Sequence, residues 1–255
     1  MLVSHNDLKE FSIKATDGRT GHADDFYFDD VTWQVRYLVT RSGFLFTKRQ
    51  GLVSTKLLGM PDLERRELPV SLTQEQLDDA VDPDAHPPVS EQRTRDIQRR
   101  QFDLWPHVVL GVPGTAYTPV AAEYQLFGDP ATGRDIDQPL EAPGDPHLRS
   151  MAEVSGYSIA AKDGEVGSII DFLVDPEEWR VKYIVADTGN WLPGRQVAIV
   201  IDWITGISWA DRRMVVKVSQ DAIQSAPEIS EIDELKRSNL HLAFTPYGTY
   251  AGFYV

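Results

Sequence analysis

Ser12-Ile13-Lys14-Ala15-Thr16-Asp17-Gly18-Arg19-Thr20-Gly21 returns 146 residues later as Ser158-Ile159-Ala160-Ala161-Lys162-Asp163-Gly164-Glu165-Val166-Gly167. In each copy a short apolar run meets an Asp-Gly pair, the residues that most favour a tight hairpin. Working outward, the match runs without a gap from Leu2/Leu148 to Ala80/Ala226, through Asp25/Asp171, Phe26/Phe172, Asp29/Asp175, Trp33/Trp179, Val35/Val181, Tyr37/Tyr183 and Val39/Val185. About a quarter of the aligned positions are identical, against about one in sixteen for unrelated chains of average composition. The chain is a tandem repeat.

Each copy reads as β-rich. After the Asp-Gly turn come Phe26-Tyr27-Phe28 and Phe172-Leu173-Val174, then turns at Asp29-Asp30 and Asp175-Pro176. Trp33 to Val39 and Trp179 to Val185 alternate with period two, which predicts a strand with Trp, Val, Tyr and Val on one face and the aromatics in the core. Further strands are expected at 49–54 with 195–200, 62–64 with 208–210, and 67–72 with 213–218. About six short strands per copy point to a small antiparallel barrel.

Thr73 and Ser219 are good helix N-caps, and Thr73-Gln74-Glu75-Gln76 fits a capping box. Leu72 with Leu77, and Val218 with Ile223, have the spacing of a hydrophobic staple. A weaker match at a shift of 140 pairs Ser90-Glu91 with Ser230-Glu231 and Pro106 with Pro246, so the repeated unit includes a partly helical tail. The resulting division is 1–82 for barrel 1, 83–146 for linker and tail, 147–227 for barrel 2, and 228–255 for a helical, aromatic C-terminal tail.

The 255-residue chain has no cysteine, which leaves no disulfide or thiolate chemistry. A net charge of −14 argues against nucleic acid as a partner and against docking on anionic lipid. The N-terminus lacks the pattern of a signal peptide and no apolar run is long enough for membrane insertion, so a cytoplasmic location is expected. No cofactor is expected either, since there is no P-loop, no G-x-G-x-x-G and no nucleophile elbow. The acids Asp24, Asp25, Asp29 and Asp30, and Asp171, Asp175, Glu177 and Glu178, do not have EF-hand spacing and read as solvated turn and strand acids. His5, His22, His86, His107, His147 and His241 show no metal-ligand spacing.

The run Gly156 to Gly167, with Asp171-Phe172-Leu173-Val174-Asp175, Trp179 to Val185 and Asp187-Thr188-Gly189-Asn190-Trp191-Leu192-Pro193-Gly194-Arg195, resembles the PRC-barrel domain. The family also takes in the cytoplasmic domain of the photosynthetic reaction-centre H subunit and the C-terminal barrel of the ribosome-maturation factor RimM. The resemblance covers most of 147–227 and, with weaker motifs, 1–81. It implies a mainly β fold of two six-stranded SH3-like barrels, and docking of a protein partner in place of catalysis. Association with RNA or ribosomes, by analogy with RimM, is the first alternative; a ligand or enzymatic site in the cleft between barrels is the second.

Partner-binding candidates are the aromatics outside the barrel pattern: Trp105, Trp191, Tyr247, Tyr250, Phe253 and Tyr254. Packing across the barrels or within a homo-oligomer is the competing use of the same side chains. The copies differ most at 44–48 against 190–194, which is where their binding is expected to differ.

Overall fold

A computed structural model describes residues 1–42, 49–92, 145–189, 194–228, 243–245 and 248–250. It is mainly β and divides into two compact units, 1–85 with 147–255, and 86–146. Both repeats therefore lie in the first unit.

Repeat 1 begins with β1 (Val3–Ser4) and the single-turn helix α1 (His5–Leu8), followed by β2 (Ser12–Ala15), β3 (Gly18–Asp29), β4 (Val35–Ser42), β5 (Arg49–Ser54) and β6 (Glu67–Pro69). It closes with helix α2 (Gln74–Asp78). Repeat 2 follows the same plan. Its elements are β7 (Leu148–Ser150), α3 (Met151–Val154), β8 (Ser158–Ala161), β9 (Gly164–Asp175), β10 (Arg180–Asp187), β11 (Gln196–Val200), β12 (Ile204–Ser208), β13 (Arg213–Val216) and α4 (Gln220–Gln224). A separate hairpin joins β14 (Ala243–Thr245) to β15 (Gly248–Tyr250). Among the described residues no helix is long and apolar enough to cross a membrane.

Within each repeat the strands form an antiparallel meander, but the first and last strands close it in parallel, β2 with β6 and β8 with β13. In repeat 2 the reason is the 3-10 turn Ile201–Trp203, which carries the chain from β11 to β12 without reversing it. One missing reversal leaves the closing strands running the same way.

The hairpin expected at Asp17-Gly18 forms, with Thr16 and Asp17 as the loop between Ala15 and Gly18. Each turn aspartate then reaches the closing helix: Asp17 accepts from the Gln74 amide at 2.9 Å and Asp163 from the Gln220 amide at 2.8 Å. Gly21 and Gly167 hold positive φ, and a Cβ there would collide with the Arg41 and Asp187 carbonyls across the ladder, which explains why both copies keep glycine. Both capping expectations hold: Thr73 and Gln76 form the reciprocal box, and the Ser219 hydroxyl accepts from the Ala222 amide.

Two strand expectations are corrected. The stretch 62–64 is not a strand: Asp62 makes one bridge to Glu67, then its carboxylate takes the Glu64 and Arg65 amides and turns the chain. In repeat 2 the paired segment is Ile204–Ser208, ahead of 208–210. Trp33 and Trp179 are core residues as expected, but they precede their strands in left-handed conformation, φ 61° and 49°. A bulge after Val35 then breaks the alternation. Val35 and Leu38 enter the inner core, while Tyr37 and Val39 pack on an outer cluster with Tyr27 and Leu52.

Candidate functional site

The feature that period-two patterning did not announce lies between the repeats. β1 pairs with β9 of repeat 2, and β7 pairs with β3 of repeat 1, in the same register: Val3 opposite Val174 and Arg149 opposite Phe28. Each repeat thus gives its leading strand to the other. Leu2 and Leu148, an identical pair, each pack on the other repeat's outer cluster.

Polar contacts repeat the exchange. Asp171 accepts from the Ser4 hydroxyl at 2.5 Å and the Asn6 amide at 3.1 Å, while Asp25 accepts from the Ser150 hydroxyl at 2.5 Å and the Ala152 amide at 3.0 Å. Ser4 and Ser150 are the N-caps of α1 and α3, so each aspartate anchors the start of a helix from the other repeat. Asp25 is only 9% exposed. The expectation of a solvated acid is corrected at this position, because strand exchange covers it. The joint identity of Ser4/Ser150 and Asp25/Asp171 was the available signal, legible only once the exchange is known.

Backbone bonds seal the middle of the join. The Val35 amide donates to the Trp179 carbonyl at 2.7 Å and the Val181 amide to the Trp33 carbonyl at 2.9 Å. Beneath them one apolar cluster spans both repeats, with Phe26 stacked on Trp179 and Phe28 against Phe172. His5 is fully buried and edge-on to Phe26 and Phe172, 6.0 Å from each ring. Those two rings are the same residue of the two repeats, so His5 sits near the pseudo-two-fold axis. Its Nε2 is 3.3 Å from Asp25 Oδ1 but outside hydrogen-bond geometry, and neither ring nitrogen has a hydrogen-bond partner.

Most of the other acids are also engaged. Asp29 accepts from the Val31 and Thr32 amides and pairs with Arg36. Burial raises its carboxyl, but the Thr32 amide and hydroxyl, the Val31 amide and the Arg36 charge together hold it below the usual value. Asp24 pairs with Arg41, and Asp30 with Arg149 and His147. The Lys182 ammonium, bonded to Glu178, lowers the pKa of that carboxylate. Among the described residues no three His, Asp or Glu side chains converge as a metal site.

Between the repeats on one side opens a recess of about 450 Å³. Leu58, Gly59 and Met60 of repeat 1 face Pro176, Glu177 and Trp179 of repeat 2, with Lys56 and Gln34 completing the wall. Gln34 is fixed by donating to the Glu178 and Trp179 carbonyls at 2.7 and 3.0 Å. Met60 is 46% exposed, and Lys56 and Glu177 have no ionic partner among the described residues. The lining is mixed: Leu58, Met60 and Trp179 stand beside Gln34, Lys56, Glu177 and Glu178. Such a surface can seat a side chain or a short segment.

The candidate aromatics Trp105, Trp191, Tyr247, Phe253 and Tyr254 lie outside the described residues, as do the divergent segments 44–48 and 190–193. Tyr250 is described only as a strand residue opposite Ala243.

No curated protein matches this chain. Residues 149–223 match the family model of the PRC-barrel domain. That span runs from the exchanged strand through the meander and its parallel closure to the capped helix, and repeat 1 repeats this order from Val3 to Asp78, with isolated bridges at Leu58 and Asp62 where repeat 2 has β12. By this match, residues 149–223 are a PRC-barrel domain.

Proposed function

We propose that this is a non-enzymatic docking protein in which two PRC-type repeats, locked into one body, hold a protein partner in the recess between them. One observation carries the reading. The carboxylates, histidine and arginine near the axis are engaged in joining the repeats or are sealed from solvent, whereas Met60, Lys56 and Glu177 are exposed around an open hollow. A recess that joins exposed apolar and charged side chains of both repeats offers a partner both burial and ion pairing. Trp105, Trp191 and the tail aromatics Tyr247, Tyr250, Phe253 and Tyr254 are further contacts in this reading, and the site of action is the cytoplasm.

The test is affinity capture from an extract of the source cells, with the intact chain and with a Met60→Asp, Glu177→Lys double variant of unchanged circular dichroism. The expected result is a protein retained by the first and reduced at least about tenfold with the second. Equal retention by both, or no protein retained by either, overturns the reading.

A further inference from the structure

The two crossings share a backbone plan but not their chemistry. Where β7 lies on repeat 1, Arg149 Nε donates to Asp30 Oδ2 at 2.6 Å, and His147 Nδ1 lies 3.0 Å from Asp30 Oδ1. The Arg149 and Asp30 side chains are 11% and 9% exposed. At the equivalent positions of the other crossing stand Val3, which is buried, and Pro176. One crossing is ionic and the other apolar.

We propose that the buried Arg149–Asp30 pair determines which repeat may pair with which: it admits repeat 2 onto repeat 1 and refuses pairing of either repeat with its own kind in a second copy of this chain. The logic is combinatorial. The join is isologous in plan, since both repeats offer the same strand, the same N-cap serine and the same receiving aspartate. Pairing 1 with 2 sets Arg149 against Asp30 and Val3 against Pro176. Pairing 1 with 1 buries Asp30 twice against Val3, and pairing 2 with 2 buries Arg149 twice against Pro176. Every like pairing strands buried charges, a cost that the unlike pairing avoids.

The pair is poorly explained as a source of stability. Arg149 leaves Nη1 buried without a hydrogen-bond partner, and its Nη2 reaches the Ile207 carbonyl only at 3.5 Å. A valine, as at position 3, would fill the strand more cheaply. Selection against the wrong partner is the use to which such a pair is best suited. Without it, two self-complementary faces on one chain would link copies end to end.

A protease site placed within residues 93–144 of the full chain lets it be cut, so that both repeats are present but untethered. After unfolding and refolding of the nicked protein, native mass spectrometry counts 1–2, 1–1 and 2–2 pairs. The wild type is expected to exceed random assortment in favour of 1–2 pairs by about a hundredfold. Asp30→Ala with Arg149→Val should bring the distribution within a few-fold of random. So should Val3→Arg with Pro176→Asp, which adds charges instead of removing them and therefore separates selection from loss of stability. Random assortment by the wild type overturns the proposal, as do halves that refold into no pairs, or a second variant as selective as the wild type.

Discussion

Repeat 1 carries His5 where repeat 2 carries Met151, and both side chains are fully buried beside the pseudo-two-fold axis. Methionine needs nothing from its surroundings there, whereas the imidazole leaves two nitrogens without hydrogen bonds, an arrangement that costs free energy in a dry core. Around this difference the capping serines, the receiving aspartates, the left-handed tryptophans and the register of the exchanged strands are the same in both repeats. Duplication has kept these contacts through which one repeat grips the other, while positions 5 and 151 beneath them diverged. A contact made twice, once in each direction, constrains both copies; a side chain on the axis constrains only its immediate neighbours.

Three measurements would break or sharpen this comparison. The largest effect is expected from Phe172→Ala, which empties a fully buried position between His5 and Phe28. It should cost about 3–5 kcal/mol, and both repeats should still unfold together. Urea transitions followed by circular dichroism and by tryptophan fluorescence should coincide, because the core is shared. Two separated transitions would return the molecule to two independent barrels.

Next come the twin caps. Asp25 and Asp171 each accept two bonds from the other repeat and one from the following amide, but Asp25 is the more buried. Asp25→Ala should cost about 2–3 kcal/mol and Asp171→Ala about 1 kcal/mol less, since the donors stranded at Asp171 can reach water. Equal losses in thermal or chemical denaturation would show that exposure does not separate the two crossings.

The smallest effect concerns acid stability. The folded pKa of Asp29 lies below its unfolded value, so its contribution is complete above about pH 4 and fades as pH falls through the folded value. Asp29→Asn should flatten the acid limb of the stability curve by less than about 1 kcal/mol, in line with a pair whose arginine is partly exposed. An unchanged slope below pH 4 would remove the charge from the account of this turn.

Much of each barrel was legible residue by residue. Asp17-Gly18 and Thr73 to Gln76 announced a turn and a cap because their chemistry acts over three or four residues, and the structure places both as expected. The strand at 62–64 was misplaced because Asp62 uses its side chain to turn the chain, a competition that alternation does not register. Trp33 and Trp179 were assigned to the core but to the wrong element, since a bulge and a left-handed residue reset the alternation just there. Of the candidate site, all the aromatics but Tyr250 lie outside the described residues, and the recess joins residues more than a hundred positions apart. No local pattern points to such a place.

The sequence alone determined the duplication, the β-rich unit, its turns and its capped helices, because these depend on repeated identity and on short-range hydrogen bonding. Only the tertiary structure decided that each repeat lends its first strand to the other, that Asp25 is buried and caps a foreign helix, and that Arg149 meets Asp30. A strand's side-chain pattern records which face is buried and is silent about whose sheet it joins. Two copies of one sequence offer each strand two chemically similar edges, and the choice between them rests on pairings that form only when the whole chain folds.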